Sequence, residues 1–210
     1  MAAEEIVFVV DDDADVRESL CALLGSADLD ARAYESARAF LEAYRPTQSG
    51  CLIADIRMPD MDGLELQEEL ARQKIALPVI VVTGHADVPL AVRAMKAGAV
   101  DLIEKPFDDE QLIATVRRAL AMAVGAREQT AIAEAARTRI ATLSARERQV
   151  LELLVAGQPN KIIAYELDIS PRTVEIHRAH VMDKMEAKSL SDLVRAALAA
   201  GISGAPKSNA

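Results

Sequence analysis

Two runs of β-branched and aromatic residues, Ile6-Val7-Phe8-Val9-Val10 and Val79-Ile80-Val81-Val82, most constrain how this chain can fold. Neither alternates polar with apolar. Each therefore reads as a strand buried on both faces, the habit of a parallel sheet covered by helices. Helical and extended patterns alternate around them. Val16, Leu20, Leu23 and Leu24 recur at helical spacing, with Gly25 as the expected stop. A weaker strand over 29–33 leads into a helix over 36–44, and a strand over 51–54 ends on Asp55. Pro59 and Gly63 bracket a loop before a helix carrying Leu64, Leu66 and Leu70. A helix over 88–97 stops at Gly98, and a short strand over 101–104 runs into Lys105-Pro106. The next helix opens with Asp108-Asp109-Glu110, acids placed where the helix dipole favours them. Five strands alternating with five helices predict a doubly wound α/β domain on a parallel five-stranded sheet.

Charge divides the chain. Residues 1–125 hold 12 Lys/Arg against 23 Asp/Glu, whereas residues 126–210 hold 12 against 10. An acidic half and a mildly basic half point to two domains with different partners. No stretch has the run of apolar residues that a membrane span needs. The chain starts acidic where a signal peptide would be basic, so a cytoplasmic protein is expected. Cys21 and Cys51 sit in apolar surroundings and read as small buried hydrophobes rather than a disulfide. Two thiols and three histidines without CxxC or HxxxH spacing give no zinc signal.

In a doubly wound sheet the ligand sits beyond the carboxyl ends of the strands, where strand order reverses. The polar residues at those ends are Asp11 and Asp12, Asp55, Thr83 and Lys105. Four separate places in the sequence would meet at one rim. Carboxylates gathered there repel one another, and a hard dication such as Mg²⁺ would remove the conflict. Lys105 offers a mobile point charge for a phosphoryl oxygen, and Thr83 offers a hydroxyl donor. Such a set suits an aspartyl phosphate: metal, ammonium and hydroxyl around one nucleophilic carboxylate.

Val9-Val10-Asp11-Asp12-Asp13, Asp55-Ile56-Arg57-Met58-Pro59-Asp60-Met61-Asp62-Gly63, Val82-Thr83-Gly84-His85 and Lys105-Pro106-Phe107 resemble the receiver domain of two-component response regulators. The resemblance implies a flavodoxin-like fold over residues 1–125, with Asp55 as the phosphoacceptor. Asp12 would be a direct ligand of Mg²⁺ (or Mn²⁺), Asp11 would act through water, and the Arg57 carbonyl would complete the protein ligands. Thr83 and Lys105 would be the switch hydroxyl and the phosphate-binding amine, and Lys105-Pro106 would be a cis bond. Most receivers carry Phe or Tyr three residues before that lysine. Leu102 stands there in this chain, so the loop after Thr83 is expected to carry more of the switching. His85 reads as a loop residue.

The basic half opens with an Ala-rich charged stretch over 126–142 that predicts a helical linker, with Gly125 as a possible hinge. Ser144-Ala145-Arg146-Glu147 is a capping box opening a helix with Val150, Leu151, Leu154 and Val155 inward and Gly157 at its end. A short helix over 160–167 carries Ile162, Ile163 and Leu167. Ser170-Pro171 then opens a third helix, over 171–185, striped by Val174, His177, Val181 and Met185. His177 reads as packed core. Ser189 opens a fourth helix with Leu193, Val194, Ala197 and Leu198 inward. Two short helices tightly joined to a helix with a polar outer face make a helix-turn-helix.

Leu143-Ser144-Ala145-Arg146-Glu147-Arg148-Gln149-Val150-Leu151, Asn160-Lys161 and Ile169-Ser170-Pro171-Arg172-Thr173-Val174-Glu175-Ile176-His177-Arg178 resemble the LuxR/NarL-type DNA-binding domain, and within it the FixJ type. The resemblance places this small all-α domain over 143–204, its third helix in the major groove of duplex DNA. Glu175, Ile176 and Ala179 would read bases, with Thr173 near the helix start. Glu175 could accept from a cytosine amino group, and Ile176 could touch a thymine methyl. Asn160, Lys161, Arg172, Arg178, Lys184 and Lys188 are candidate phosphate contacts. A net charge of +2 over this half is modest, so paired domains on two half-sites are expected.

Together these readings describe a transcription regulator rather than an enzyme. A sensor histidine kinase would phosphorylate Asp55. The chain would then form a homodimer through a face near Val92, Lys96 and Asp101, and activate transcription with RNA polymerase holoenzyme. Two rivals make distinct demands. A metal-dependent phosphohydrolase, suggested by Asp13-x-Asp15, would need a small-residue pattern and a cap domain that 125 residues do not hold. A receiver joined to a protein-binding helical module would show no steep salt dependence on duplex.

Overall fold

A computed structural model describes residues 5–203. The acidic start over 1–4 and the domain end placed at 204 lie outside the described residues. The chain forms two compact units that divide between Ala126 and Arg127.

In the first unit, strands β1 (Glu5–Val10), β2 (Asp30–Tyr34), β3 (Ser49–Asp55), β4 (Val79–Thr83) and β5 (Asp101–Glu104) form one sheet. Every pairing is parallel, in the order β2-β1-β3-β4-β5. Helices α1 (Ala14–Ser26), α2 (Ala37–Ala43), α3 (Gly63–Arg72), α4 (Val88–Lys96) and α5 (Asp109–Ala141) link or follow the strands. The two-residue period of a strand divides β1 between two cores. Ile6, Phe8 and Val10 pack with Phe40, Leu66, Leu70 and Ala94, whereas Val7 and Val9 pack with Leu20, Leu24, Leu112 and Val116. Both faces are dry, which is why the run carries no polar residue. Phe8, Tyr34, Phe40 and Tyr44 form an aromatic cluster with neighbouring rings 5.4–6.4 Å apart.

Helix α1 runs past the expected stop at Gly25 to Ser26. Asp28 supplies the left-handed residue instead, at φ 58°, and Leu29 N–H closes the turn on Leu24 C=O. A short polar side chain tolerates that conformation. Helix α5 continues through Gly125 to Ala141, so the stretch expected as a helical linker is helical up to that residue. A helix keeps its hydrogen-bond ladder through a single glycine at a cost of about 1 kcal/mol relative to alanine.

In the second unit, α6 (Ala145–Val155), α7 (Asn160–Glu166), α8 (Pro171–Lys184) and α9 (Leu190–Ala199) surround Val150, Leu151, Ile163, Val174, Val181 and Leu193. The end of α5 adds Ile140 to this core. Ser144 and Glu147 close the capping box as the spacing predicts. Leu193 and Ala197 of α9 point inward, but Leu198 is exposed, because the core-facing stripe of α9 is narrower than its apolar sequence. Among the described residues, no helix is long and apolar enough to cross a membrane.

Gly63 opens α3 against the end of β3. A Cβ there would lie 2.4 Å from the Asp55 carbonyl oxygen, and backbone gives way only by shifting the strand. Gly63→Ala should cost about 1–3 kcal/mol of stability by overpacking, measured by urea unfolding of the full chain. By contrast, Gly125→Ala should raise stability by about 0.5–1 kcal/mol, since a Cβ there meets nothing within 4 Å.

Candidate functional site

The sheet order reverses beside β1, whose neighbours are β2 and β3, so the carboxyl ends of β1 and β3 flank the switch point. Asp11 follows β1 and Asp55 ends β3, and both are buried. Lys105, from the end of β5, reaches across to them. Its Nζ donates to Asp11 Oδ2 and Asp55 Oδ1, each at 2.7 Å. Partial burial works against the Lys105 charge, but the bonds from both carboxylates outweigh it and hold its pKa above the usual lysine range. The Lys105-Pro106 bond is cis, as the resemblance implies.

The remaining oxygens are also held. Asp55 Oδ2 accepts from Arg57 N–H at 2.6 Å, and Asp11 Oδ1 accepts from Asp13 N–H at 2.9 Å. Arg17 Nη1 anchors the Asp11 carbonyl at 2.7 Å. Asp13 caps α1, and Asp12 is exposed. The three expected carboxylates do not close on one another; among the described residues no three His, Cys, Asp or Glu side chains gather as a metal cage. An ammonium closes the cluster, because it neutralises two buried carboxylates that a third would only repel further. Two hard oxygen donors at an open rim still suit Mg²⁺, which takes one or two carboxylates and keeps several waters.

Thr83 is buried, and its Oγ1 donates to His85 C=O at 3.1 Å while accepting from His85 N–H at 3.3 Å. His85 itself is exposed, in a loop as expected. Sequence reasoning missed a second hold on this loop: Glu104 Oε1 accepts Ala86 N–H at 3.0 Å. Its only signal was position, one residue before Lys105. Leu102 is half-buried against the core containing Ala94 and Ala99. On α4, Val88, Val92 and Met95 are exposed beside Lys96. Asp101 differs from them, being paired with Arg118 at 2.6 Å. Both cysteines are free thiols, and burial pushes Cys51 up to about 12, consistent with the buried role; Cys21 is only half-buried.

In the second unit, Pro171 and the Ser170 cap start α8, the Ser170 oxygen taking the Thr173 N–H. Arg172, Glu175, Ile176 and Ala179 are exposed along it, and Lys161 and Lys188 are exposed nearby in sequence on the same unit. Thr173 Oγ1 meets Ser170 Oγ at 2.8 Å. Arg178 is bonded to Asn160 Oδ1 at 2.5 Å, which ties α8 to the start of α7. His177 is half-buried, with a buried Nδ1. Lys184 is exposed but has a partner within the fold. Its Nζ donates to Glu147 Oε2 at 2.7 Å, and His180 Nδ1 lies 3.6 Å from Glu147 Oε1. The sequence marked Glu147 only as a helix cap, yet it is buried and ion-paired.

The chain matches the family model "Response regulator receiver domain" over residues 7–117 and "Bacterial regulatory proteins, luxR family" over 141–197. It is 49% identical to transcriptional regulatory protein FixJ of Bradyrhizobium diazoefficiens, over 96% of this chain and 98% of that one. For FixJ of Rhizobium meliloti the identity is 54%, over 93% and 96%. Among solved structures, response regulator StyR matches with a TM-score of 0.78 at 41% identity, covering 93% of this chain and 99% of that one. Full-length FixJ from B. japonicum matches with a TM-score of 0.57 at 49% identity, covering 95% and 98%.

The Lys184 bond, first, and the Ser144 N–H hold the Glu147 carboxyl down at about 2, against an ordinary 4.5. A group depressed on folding stabilises above its unfolded value and loses that contribution as pH falls through its folded one. Stability of the second unit should therefore decline between about pH 4.5 and 2, and Glu147→Gln should flatten that limb. Far-ultraviolet dichroism during acid titration reads this directly.

Proposed function

This chain belongs to the FixJ-type response regulators, joining a receiver domain to a LuxR-type DNA-binding domain, and on that premise we propose that Asp55 is its phosphoacceptor. A regulator of this family works with a histidine kinase and with DNA, and controls transcription according to its phosphorylation. The observation that carries the assignment is the Lys105 bridge, which fixes two buried carboxylates at the switch point of the sheet.

An Asp55 oxygen attacks the phosphorus of the donor's phosphohistidine; the O–P bond forms as the P–N bond breaks and the imidazole leaves. Receiver domains bind Mg²⁺ at this position, and Asp11, Asp12, Asp55 and the Arg57 carbonyl would hold it. Such an ion supplies charge neutralisation for the phosphoryl oxygens. Lys105 is already beside Asp55 and takes one of those oxygens as a point charge. Arg57 N–H keeps the Asp55 carboxylate oriented. Thr83 then exchanges its acceptor: the hydroxyl leaves His85 C=O for a phosphoryl oxygen, and the loop to α4 loses one of its holds.

That change is transmitted to the exposed apolar side of α4. Val92 with Lys96, flanked by Val88 and Met95, forms the dimer face, and Asp101 shapes its edge through Arg118 rather than bonding across. Dimerisation brings two DNA-binding units onto paired half-sites, where Glu175, Ile176 and Ala179 meet base edges. Thr173 sets the start of the reading helix, and Lys161, Arg172 and Lys188 meet phosphates. The bound dimer recruits RNA polymerase and activates.

Asp55→Asn keeps the volume and the Arg57 bond but lacks the nucleophile. With acetyl phosphate and magnesium, intact mass spectrometry should find one phosphoryl group on the parent and none on the variant. On a sizing column only the parent should shift to a dimer. Dimerisation of the variant under the same treatment would overturn the assignment.

A further inference from the structure

Glu147 joins three parts of the second unit that are distant in sequence. Its backbone and carboxylate complete the N-terminal cap of α6, with Ser144 N–H donating to Oε2 at 2.7 Å. That same Oε2 receives Lys184 Nζ at 2.7 Å, and Oε1 faces His180 Nδ1 at 3.6 Å. Lys184 and His180 are four residues apart, on one side of α8. The Glu147 side chain is only 6% exposed, whereas those of Lys184 and His180 are 39% and 59% exposed. A buried carboxylate without its cation is strongly unfavourable, so the ammonium is held where the carboxylate is. Ser144 N–H fixes the Glu147 carboxylate on α6, and the Lys184 Nζ bond to that same oxygen would be lost if α8 rotated about its axis.

We infer that Glu147 is a positioning and specificity-determining residue for DNA recognition: it withholds the Lys184 ammonium from the phosphate backbone and fixes the rotation of the reading helix. This rests on the DNA-binding reading above. Lysine contacts to phosphate strengthen binding to every sequence alike. A lysine diverted into the fold adds nothing to that background and instead sets which side chains of α8, Glu175 and Ile176 among them, face the groove. The weakly basic character of this half fits the same purpose. Glu147 and Lys184 cancel within its formal charge of +2, so the pair adds no net attraction for DNA.

The test uses the full chain treated with acetyl phosphate and magnesium, on two duplexes: one selected by the protein from a random pool, the other a scramble of it. Apparent affinity is measured against salt. Each phosphate contact contributes about 0.9 to the slope of log K against log salt. Lys184→Met should leave the slope unchanged while weakening the selected duplex more than the scramble. Glu147→Gln, which keeps an acceptor for Ser144 N–H but releases the ammonium, should steepen the slope by about 0.9 for each domain bound and narrow the preference for the selected duplex. The double variant should return to the parental slope.

A slope lowered by about 0.9 for each domain in Lys184→Met would overturn the inference, because Lys184 would then be an ordinary phosphate contact. That arm stands even if Glu147→Gln fails to fold. An unchanged slope and preference in a folded Glu147→Gln would overturn it too. Parent protein that binds neither duplex with salt dependence is a separate result, and it removes the DNA-binding reading itself.

Discussion

One ammonium group makes the rim of the sheet possible. Asp11 and Asp55 are nearly excluded from solvent, and two carboxylates so placed destabilise each other unless a cation lies between them. Lys105 fills that role at 2.7 Å from each. Much of the architecture serves to bring the three together. Parallel strands put all three at the same edge, the reversal of strand order opens a crevice there, and the close approach of Gly63 lets α3 begin directly against Asp55. The cluster is therefore balanced as it stands, and in the role proposed for Asp55 the cation that offsets the carboxylates would also offset a phosphoryl oxygen.

The second unit solves a similar problem with the opposite consequence. Glu147 is buried and balanced by Lys184, but no ligand is expected between them. In the receiver the lysine is partly exposed at an open rim and lies between two carboxylates. In the helical unit the glutamate is also held by a helix cap, so the acceptor that Lys184 meets is fixed in place.

The strands and the rim residues were legible because their signals are one-dimensional. An unbroken apolar run and the polar residue that ends it suffice to place Asp11, Asp55, Thr83 and Lys105 at one edge. Helix ends were less legible where the stop depended on geometry. Gly25 reads as a stop, yet it lies inside α1, because a glycine only weakens a helix and does not terminate it. Pairings across long sequence distances were invisible. Lys184 and Arg178 have the composition of phosphate contacts, and nothing in spacing discloses that their partners are Glu147 and Asn160. Leu198 is apolar by sequence but exposed, since α9 has only one neighbouring core to bury against.

Leu102 bears on how the rim communicates with α4. An aromatic ring at that position could occupy alternative places, one inward and one outward. The leucine is smaller and is already packed against the core that contains Ala94 and Ala99, so inward movement would gain little new apolar burial. The loop between Thr83 and α4 is the remaining connection. Two side chains hold it, Thr83 through His85 and Glu104 through Ala86, and Glu104 directly precedes the lysine that bridges the carboxylates. Lys105 N–H is also bonded to Thr83 C=O at 2.7 Å, which ties the end of β5 to the end of β4. In the role proposed for this rim, a change of partner at Lys105 or Thr83 would therefore reach the loop from both of its anchors without passing through the side chain of Leu102.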